Sequence, residues 1–186
     1  SDGYGPFKGI EAFTDELPAP CRGYTVAFAE DGTVRLFAGT ETKLYLLDNT
    51  TLAWTDVSLG ASTYSTLDAD AHWSFAQFNS RVIAAQRNAV MQTFTIGSSA
   101  AFANLAGSPP QAGWIAVVGR FLVAGDILSN PLRVRTSGLN DVTNWTAGTG
   151  SSIQQDFPDG GRVRVVAEIA NDVGLICQEG TFRRMI

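Results

Sequence analysis

Four segments of the sequence share one pattern, and this repetition constrains the fold more than any other feature. Each segment begins with an aromatic-rich or β-branched run, turns, and continues into a second apolar run. The segments start 49, 41 and 49 residues apart, at Tyr24, Trp73, Trp114 and Val163. Residues typical of tight hairpin turns stand at the matching places, namely Asp31-Gly32, Asn79-Ser80, Gly119 and Asn171-Asp172. The sequence therefore predicts four copies of a β-hairpin.

Each predicted hairpin is followed by a third strand, and a fourth, polar and aromatic strand closes the first three copies. The third strands are "KLYLLDN", "VMQTFTIG", "PLRVRTSG" and "TFRRMI". The fourth strands are "LAWTDVS", "AFANLAG" and "TNWTAG", in which Trp54, Phe102 and Trp145 occupy the same relative place. Units of about 40–50 residues with four strands are typical of β-propeller blades.

The predicted fold class is all-β: a β-propeller or propeller fragment of about four blades, each with three to four antiparallel strands. The runs "LFAG", "VIAA" and "FLVAG" are almost continuously apolar. Such runs are expected where both faces of a sheet are covered by neighbouring sheets. A two-sheet β-sandwich stays open as an alternative, because short strands and Gly-rich turns are common to both architectures.

The repeats divide the chain into an arm and four blades. We predict an N-terminal extended arm over residues 1–22 and propeller repeats over residues 23–186. The blades are placed at 23–60, 72–107, 113–148 and 162–186. A start at Ser1 without Met and an end within the strand-like "TFRRMI" lead us to expect a piece of a longer polypeptide.

Charge is distributed unevenly along the sequence, whose formal net charge is −5. Residues 1–70 carry 4 Lys and Arg against 11 Asp and Glu, whereas residues 71–186 carry 9 against 7. Tight binding of nucleic acid by the whole surface is not expected, because phosphate neutralisation needs clustered cations. Packing of identical subunits, with an acidic face against a basic one, is the favoured use of this asymmetry.

The sequence offers few residues for catalysis or metal binding. His72 is the only histidine, and Cys21 and Cys177 are too far apart in sequence for a metal-ligand spacing, so we expect two free thiols, no metal and no cofactor. A glycosidase propeller would need two neighbouring carboxylates, for which Asp156 and Asp159 are the candidates. We predict that the protein is not an enzyme and has no catalytic residues.

Arginines supply the predicted subunit contacts. Two i,i+2 pairs each project from one face of a strand, and a further pair lies near the C-terminal end. The candidates are Arg133, Arg135, Arg162, Arg164, Arg183 and Arg184. The alternative is a solvated or salt-bridged sheet edge.

The predicted loops 59–72 and 106–113 supply the second candidate site. There, Tyr64, His72 and Trp73 are the candidates for an aromatic binding platform.

Several ordered motifs resemble propeller-type structural proteins in the tails of bacteriophages. The motifs are "DGYGPFKG", "LFAGTETKLYLLD…WTDVS", "WSFAQFNSRVIAA", "AFANLAGSPPQAGWIAVVGRFLVAG", "NPLRVRTSGLNDVTNWTAG", "QQDFPDGGRV" and "QEGTFRRM". The resemblance implies a non-enzymatic virion protein, assembled in the host cytoplasm: a tail hub or nozzle-type subunit in a homo-oligomeric ring. The expected partners are further copies and other phage tail proteins, with DNA passing through without specific binding and no membrane contact. The alternative is a propeller module that binds a host glycan or protein.

Overall fold

The chain folds into fifteen strands in the part that the structure describes. The computed structural model describes residue 9 and residues 11–186, so the predicted arm is covered only in part. The strands are β1 (Tyr24–Phe28), β2 (Val34–Gly39), β3 (Leu44–Leu47), β4 (Trp54–Asp56), β5 (Ser74–Phe78), β6 (Arg81–Ala85), β7 (Gln92–Thr95), β8 (Ala103–Asn104), β9 (Ala112–Val118), β10 (Phe121–Ile127), β11 (Arg133–Thr136), β12 (Gln154–Asp156), β13 (Val163–Ala170), β14 (Val173–Gln178) and β15 (Phe182–Met185).

The strands form four separate antiparallel sheets, each built from consecutive strands. Blade 1 contains β1 to β4, blade 2 contains β5 to β8, blade 3 contains β9 to β12, and blade 4 contains β13 to β15. A 3-10 turn at Leu59–Ala61 is the single helical segment among the described residues. No helix there is long and apolar enough to cross a bilayer. The all-β prediction, with four sheets of three to four strands, is confirmed.

The four sheets pack in sequence and fan out from a common inner edge. First strands touch from blade to blade, as β1 contacts β5, β5 contacts β9, and β9 contacts β13. Fourth strands make no comparable contacts with one another in the described chain. First strands therefore lie nearest the axis. No strand of blade 4 packs to a similar extent against blade 1, so the described sheets form an open arc rather than a closed ring.

Each blade begins with the predicted hairpin, and its turn contains a residue with positive φ. These residues are Gly32 (φ 81°), Asn79 (φ 54°), Gly119 (φ 56°) and Asp172 (φ 61°). Glycine has no Cβ to clash in this region, and Asn and Asp tolerate it better than other residues. The turn chemistry of the repeat is therefore confirmed in all four copies.

The core consists of apolar layers between successive blades. Between blades 1 and 2, Phe37 meets Phe94 with ring centroids 5.1 Å apart, in the edge-to-face arrangement that aromatic quadrupoles favour. Between blades 2 and 3, Ile83 and Trp145 are buried together. Between blades 3 and 4, Val163 packs in the third layer. Burial of the inner strands on both faces thus follows from the stacking of blades.

The fourth strand of blade 3 lies further along the chain than predicted. "TNWTAG" forms turns, and β12 pairs with β11 through Arg133 opposite Asp156. The segment before β12 turns on itself, because the Asp141 carboxylate accepts the Thr143 N–H at 2.9 Å and the Asn144 side chain accepts from Thr146. The predicted blade boundary of 113–148 is therefore corrected to include residues up to 156.

The described part of the N-terminal segment has no strand before Tyr24 and lies along the outer part of blade 1. The Asp15 N–H donates to the Leu52 carbonyl at 3.0 Å, and the Trp54 indole N–H donates to the Asp15 carbonyl at 3.0 Å. The extended arm over residues 1–22 stays a prediction. Residues 1–8 and 10 of the predicted arm lie outside the described part of the chain.

Candidate functional site

A polar cleft of ≈ 290 Å³ opens where the inner ends of the blades meet. One wall is the connector from Asp68 to His72, which leads from blade 1 into blade 2. The other walls come from three blades, through residues at the ends of inner strands. These residues are Arg87 of blade 2, Gly113, Trp114 and Asp126 of blade 3, and Arg162 and Arg164 of blade 4.

A buried carboxylate, Asp126 at the end of β10, is the electrostatic centre of the cleft. Arg162 of blade 4 donates to it twice, from Nε to Oδ1 at 2.7 Å and from Nη2 to Oδ2 at 2.6 Å. Arg87 of blade 2 places its Nε 3.5 Å from Oδ1, an ion pair without a hydrogen bond. The hydrogen bonds to Asp126 raise the pKa of Arg162. A single carboxylate therefore ties blades 2, 3 and 4 together.

The backbone around Asp126 is shaped to admit this arrangement. Asp126 has φ 53°, a left-handed conformation that is uncommon for a residue within a strand. Gly113 lies beside it on β9, where a Cβ would come within 2.6 Å of Oδ2. Glycine at position 113 is therefore needed to leave room for the carboxylate. Strain of this kind persists only where the surrounding contacts hold it in place, as the two arginines do here.

Arg22 fixes the connector that forms the opposite wall. Its guanidinium donates to the backbone carbonyls of Asp68 at 2.8 Å, Ala69 at 2.6 Å and Ala71 at 2.5 Å. Five rigidly arranged donors make arginine suited to gathering several carbonyls from one loop. The connector is thereby held against the entrance to blade 2, with His72 at its end.

His72 lies against Trp114 at the edge of the cleft. The two ring centroids are 4.3 Å apart in an edge-to-face arrangement, and the His72 Nε2 is buried with no hydrogen-bond partner among the described residues. Burial lowers the pKa of His72, and the positive charge of Arg22 lowers it further. The imidazole is therefore neutral near pH 7.

The composition of the cleft suits the binding of an acidic group. Three arginines and three aspartates line it, so that their formal charges cancel. Arg162 gives two of its donors to Asp126, which leaves further guanidinium N–H groups for a ligand. Carboxylates and other planar anions match such donors in pairs. Within residues 9 and 11–186, no group of three or more His, Cys, Asp or Glu side chains is arranged to hold a metal ion.

Most of the predicted contact arginines have partners within the chain. Arg133 forms a two-fold hydrogen-bonded pair with Asp156, at 2.6 and 2.8 Å. Arg135 donates to the Trp145 carbonyl. These contacts match the alternative interpretation of a salt-bridged edge.

The arginines of blade 4 differ among themselves. Arg162 reaches Asp126, Arg164 pairs with Glu179, and Arg183 donates to Asp159 at 2.5 Å while its guanidinium lies 4.7 Å from the Phe157 ring. Arg184 is exposed, and no described residue forms an ion pair with it. Among the six candidates, Arg184 is the cation whose charge is most available to another subunit.

The three residues of the predicted platform do not form one exposed surface. Trp73 is only 2% exposed, and its indole N–H donates to the Thr40 carbonyl at 2.8 Å. Tyr64 stacks on it edge-to-face at 5.1 Å, whereas His72 turns to Trp114 instead. The prediction is corrected at Trp73: the first residue of the blade 2 hairpin points into the layer between blades 1 and 2.

Asp156 and Asp159 are held by different arginines. Hydrogen bonds from Arg133 lower the pKa of Asp156, and hydrogen bonds from Arg183 lower the pKa of Asp159. A general acid of a glycosidase needs a raised carboxyl pKa. The direction of both shifts is therefore opposite to the one required for that role.

Sequence reasoning did not single out Asp126 or Arg87, although a signal for the first is present. Asp126 interrupts the apolar run "FLVAGDIL". A carboxylate within a buried strand requires a cationic partner, so this interruption predicts a buried ion pair. The partners themselves lie 39 residues before and 36 residues after it, and only the stacking of blades brings them together.

Comparisons with known proteins identify the fold. No protein-family profile matches the sequence, and a search of curated proteins finds no match. The computationally designed Ika4 protein is similar over 95% of this chain and 98% of its own, with a TM-score of 0.57 and 11% identity. The computationally designed Ika8 protein is similar over 92% of this chain and 47% of its own, with a TM-score of 0.53 and 12% identity.

A streptogramin B lyase structure is also similar, over 90% of this chain and 56% of its own, with a TM-score of 0.51 and 14% identity. This chain therefore spans about half the length of Ika8 and of the lyase. At these identities the likeness concerns the fold alone. The β-propeller prediction is confirmed, and the sandwich alternative is not the fold of this chain.

Replacing Asp126 with Asn tests its role as a brace between blades. The change leaves Arg87 and Arg162 without their carboxylate, and we expect it to lower the free energy of unfolding by about 2–4 kcal/mol. Asp156→Asn is the matched control, because it breaks a similar two-fold pair whose aspartate side chain is 42% exposed rather than 6%. Urea unfolding gives both values. Equal losses would contradict the role of Asp126.

The single histidine allows a pH test of the cleft. Because the folded pKa of His72 lies below its ordinary value of 6.5, the unfolded chain binds this proton more readily. The free energy that the neutral His72 contributes to stability is therefore fully present above pH 6.5. It is lost as the pH falls through the folded pKa. We expect His72→Gln to flatten this decline between about pH 5 and pH 7.5, as followed by urea midpoints. Identical slopes in the two proteins would refute the assignment.

Proposed function

We propose that this chain is a non-enzymatic structural subunit that builds a ring around the DNA channel of a bacteriophage tail, as a hub or nozzle-type component. The observation that carries the proposal is the uncovered apolar surface at both ends of the blade arc. Tyr24 of blade 1 is 72% exposed and Phe182 of blade 4 is 73% exposed. Exposed apolar patches of this kind mark sites of protein association.

Several charged side chains hold parts of the chain together, which supports a structural role. Arg22 fixes a connector, Asp126 braces three blades, and Arg133 closes the outer edge of blade 3. The formal net charge of −5 suits a channel wall past which DNA moves without specific binding, because a polyanion is not held by an acidic surface. Further copies and other tail proteins are the proposed partners, in a virion assembled in the host cytoplasm.

The tail role is tested on particles. We expect an antibody against this chain to label one end of the tail in tailed particles purified from a host that carries the gene, with several copies per particle by quantitative mass spectrometry. An antibody against the major capsid protein is the control for particle integrity. Abundant chain in the lysate but none in the purified particles would contradict the role.

The second candidate function is a propeller binding module for a host glycan or protein, and the cleft at Asp126 favours it. Arg164 lies on the cleft wall with 54% of its side chain exposed, and among the described residues its ion pair is with the exposed Glu179. Trp114, which lines the same cleft, supplies an apolar ring. A carboxylate-bearing sugar or an acidic side chain would find guanidinium donors and an aromatic surface together.

An array of acidic and neutral glycans tests this candidate. If the cleft binds an acidic sugar, Arg164→Gln should weaken saturable binding by about ten-fold, the loss of one charge-assisted hydrogen bond. Arg184→Gln is the control, since Arg184 is also an exposed arginine of blade 4 but does not line the cleft. Equal binding by both variants, or no saturable binding by the unmodified chain, counts against the module.

A further inference from the structure

The free face of blade 1 carries a row of exposed apolar side chains. Tyr24, Val26 and Phe28 alternate along β1 and are 72%, 45% and 60% exposed. Val34 on β2 stands opposite Phe28 in the register and extends the row. Alternate residues of a strand point to opposite faces, and Ala27 on the other face is fully buried against blade 2. The exposed row is thus the face that a preceding blade would cover.

The free face of blade 4 has the same character on the opposite side of its sheet. Phe182 is 73% exposed, and it stands opposite the half-buried Cys177 in the register. Arg184 follows on the same face, opposite Leu175, while Met185 points inwards to the layer against blade 3. This exposed row is the face that a following blade would cover.

The two faces are complementary in geometry and in charge. Within the arc, the rear face of each blade packs on the front face of the next, and the two ends present one face of each kind. Residues 24–56 carry five acidic and two basic side chains, and Arg184 on the exposed row of blade 4 has no ion-pair partner among the described residues. This cation and the net acidic blade 1 favour docking of the blade 4 end on a blade 1 end over contacts between like ends.

We propose that the occupant of each free face is a second copy of this chain, with blade 4 of one copy stacked on blade 1 of the other. Two such contacts close a two-copy ring, since each copy offers one face of each kind and closure satisfies both. The arc aligns with about half of the longer Ika8 chain, so a similar fold can extend over about twice this length. This inference rests on the assembly role proposed above and specifies its contact.

The apolar row should determine the strength of the contact. Val26→Arg replaces an apolar side chain on the blade 1 face with a cation. The blade 4 face that docks there already carries Arg184, so the two cations repel each other. Phe182→Arg does the same to the blade 4 face. Because these side chains are exposed in the single chain, neither change should alter its folding. Val90→Arg is the matched control: Val90 is 41% exposed, close to Val26 at 45%, but lies on neither end face.

The experiment measures the mass of the purified 186-residue chain in solution as a function of concentration. We expect two copies per particle at micromolar concentration for the unmodified chain and for Val90→Arg. Each end variant should raise the dissociation constant by at least about ten-fold, as expected when a buried apolar contact is replaced by repelling charges. Thermal unfolding and circular dichroism of the dilute variants check that they remain folded.

Mixing the two end variants distinguishes unlike-end from like-end docking. Each variant retains one intact face, the blade 4 face in Val26→Arg and the blade 1 face in Phe182→Arg. The mixture should therefore form a two-copy species joined by a single contact, at a concentration where each variant alone is a monomer. Like-end docking predicts instead that one variant remains unaffected.

A disulfide test locates the contact directly. In a Cys21→Ser background, Cys177 remains on the blade 4 face, next to Phe182 in the register. Cysteines introduced one at a time at Tyr24, Val26 and Phe28 should include one that forms an intermolecular disulfide with Cys177 under mild oxidation, whereas Val90→Cys should not.

Two results would overturn the inference. A monomer across the micromolar range, without cross-linking, shows that a second copy does not occupy the free faces. A dimer that survives both end variants places the contact elsewhere. Neither result bears on the tail role, which depends on whether the chain is found in purified particles, and absence from particles would leave the measured self-association intact.

Discussion

The structure depends on one constraint: inner strands that are apolar on both faces must be covered on both faces. In β6, Val82 faces the layer towards blade 1, and its neighbour Ile83 faces the layer towards blade 3, and both are fully buried. A strand of this kind cannot lie at the surface of a two-layer fold without exposing one of its rows. Stacking one blade on the next covers both faces of each blade inside the arc. One face of the blade at each end remains uncovered.

The stacking is reinforced by side chains that bond to the backbone of the neighbouring blade. Gln77 on β5 both accepts from and donates to the Phe28 backbone of blade 1, at 2.9 and 2.7 Å. Glu168 on β13 accepts the Gly119 N–H of blade 3 at 3.1 Å. Each contact lies where the hairpin turn of one blade meets the first strand of the next. The contacts therefore fix how far blade 2 is rotated relative to blade 1, and blade 4 relative to blade 3, which apolar packing alone specifies less sharply.

The buried charge at Asp126 has a similar effect at the other end of the first strands. A buried ion pair adds little net stability over an apolar substitute, because both ions lose their hydration. Its geometric demands are strict, however, since the two-fold contact with Arg162 is formed only when blades 3 and 4 are in register. The cluster is therefore better understood as a device for positioning blades than as a source of stability.

Periodicity in the sequence was sufficient to predict the hairpins, the third strands and the fold class. It failed at the fourth strand of blade 3, because two neighbouring segments could each supply that strand. The aromatic Trp145 suggested the fourth strand of blade 3, but the side-chain-capped turns at Asp141 and Asn144 bend this segment, and the polar "QQD" pairs with β11 instead. The burial of Trp73 could not be predicted either. Alternation of side chains along a strand defines two faces, but it does not show which of them the neighbouring blade covers.

The cleft is formed by contacts between blades, so only part of it could be predicted from the sequence. Asp126 is visible as a carboxylate in an apolar strand, yet its partners come from two other blades. The ion pairs in the cleft also reduce the positive charge that is available to bind a polyanion. Arg162 is neutralised by Asp126 and Arg164 by Glu179, so cations near the axis of the arc are balanced before any ligand arrives. Phosphate binding gains its strength from unpaired cations that replace counterions. An inner surface balanced in this way binds a polyanion weakly, while a single carboxylate group with matching geometry can still bind to the remaining guanidinium donors.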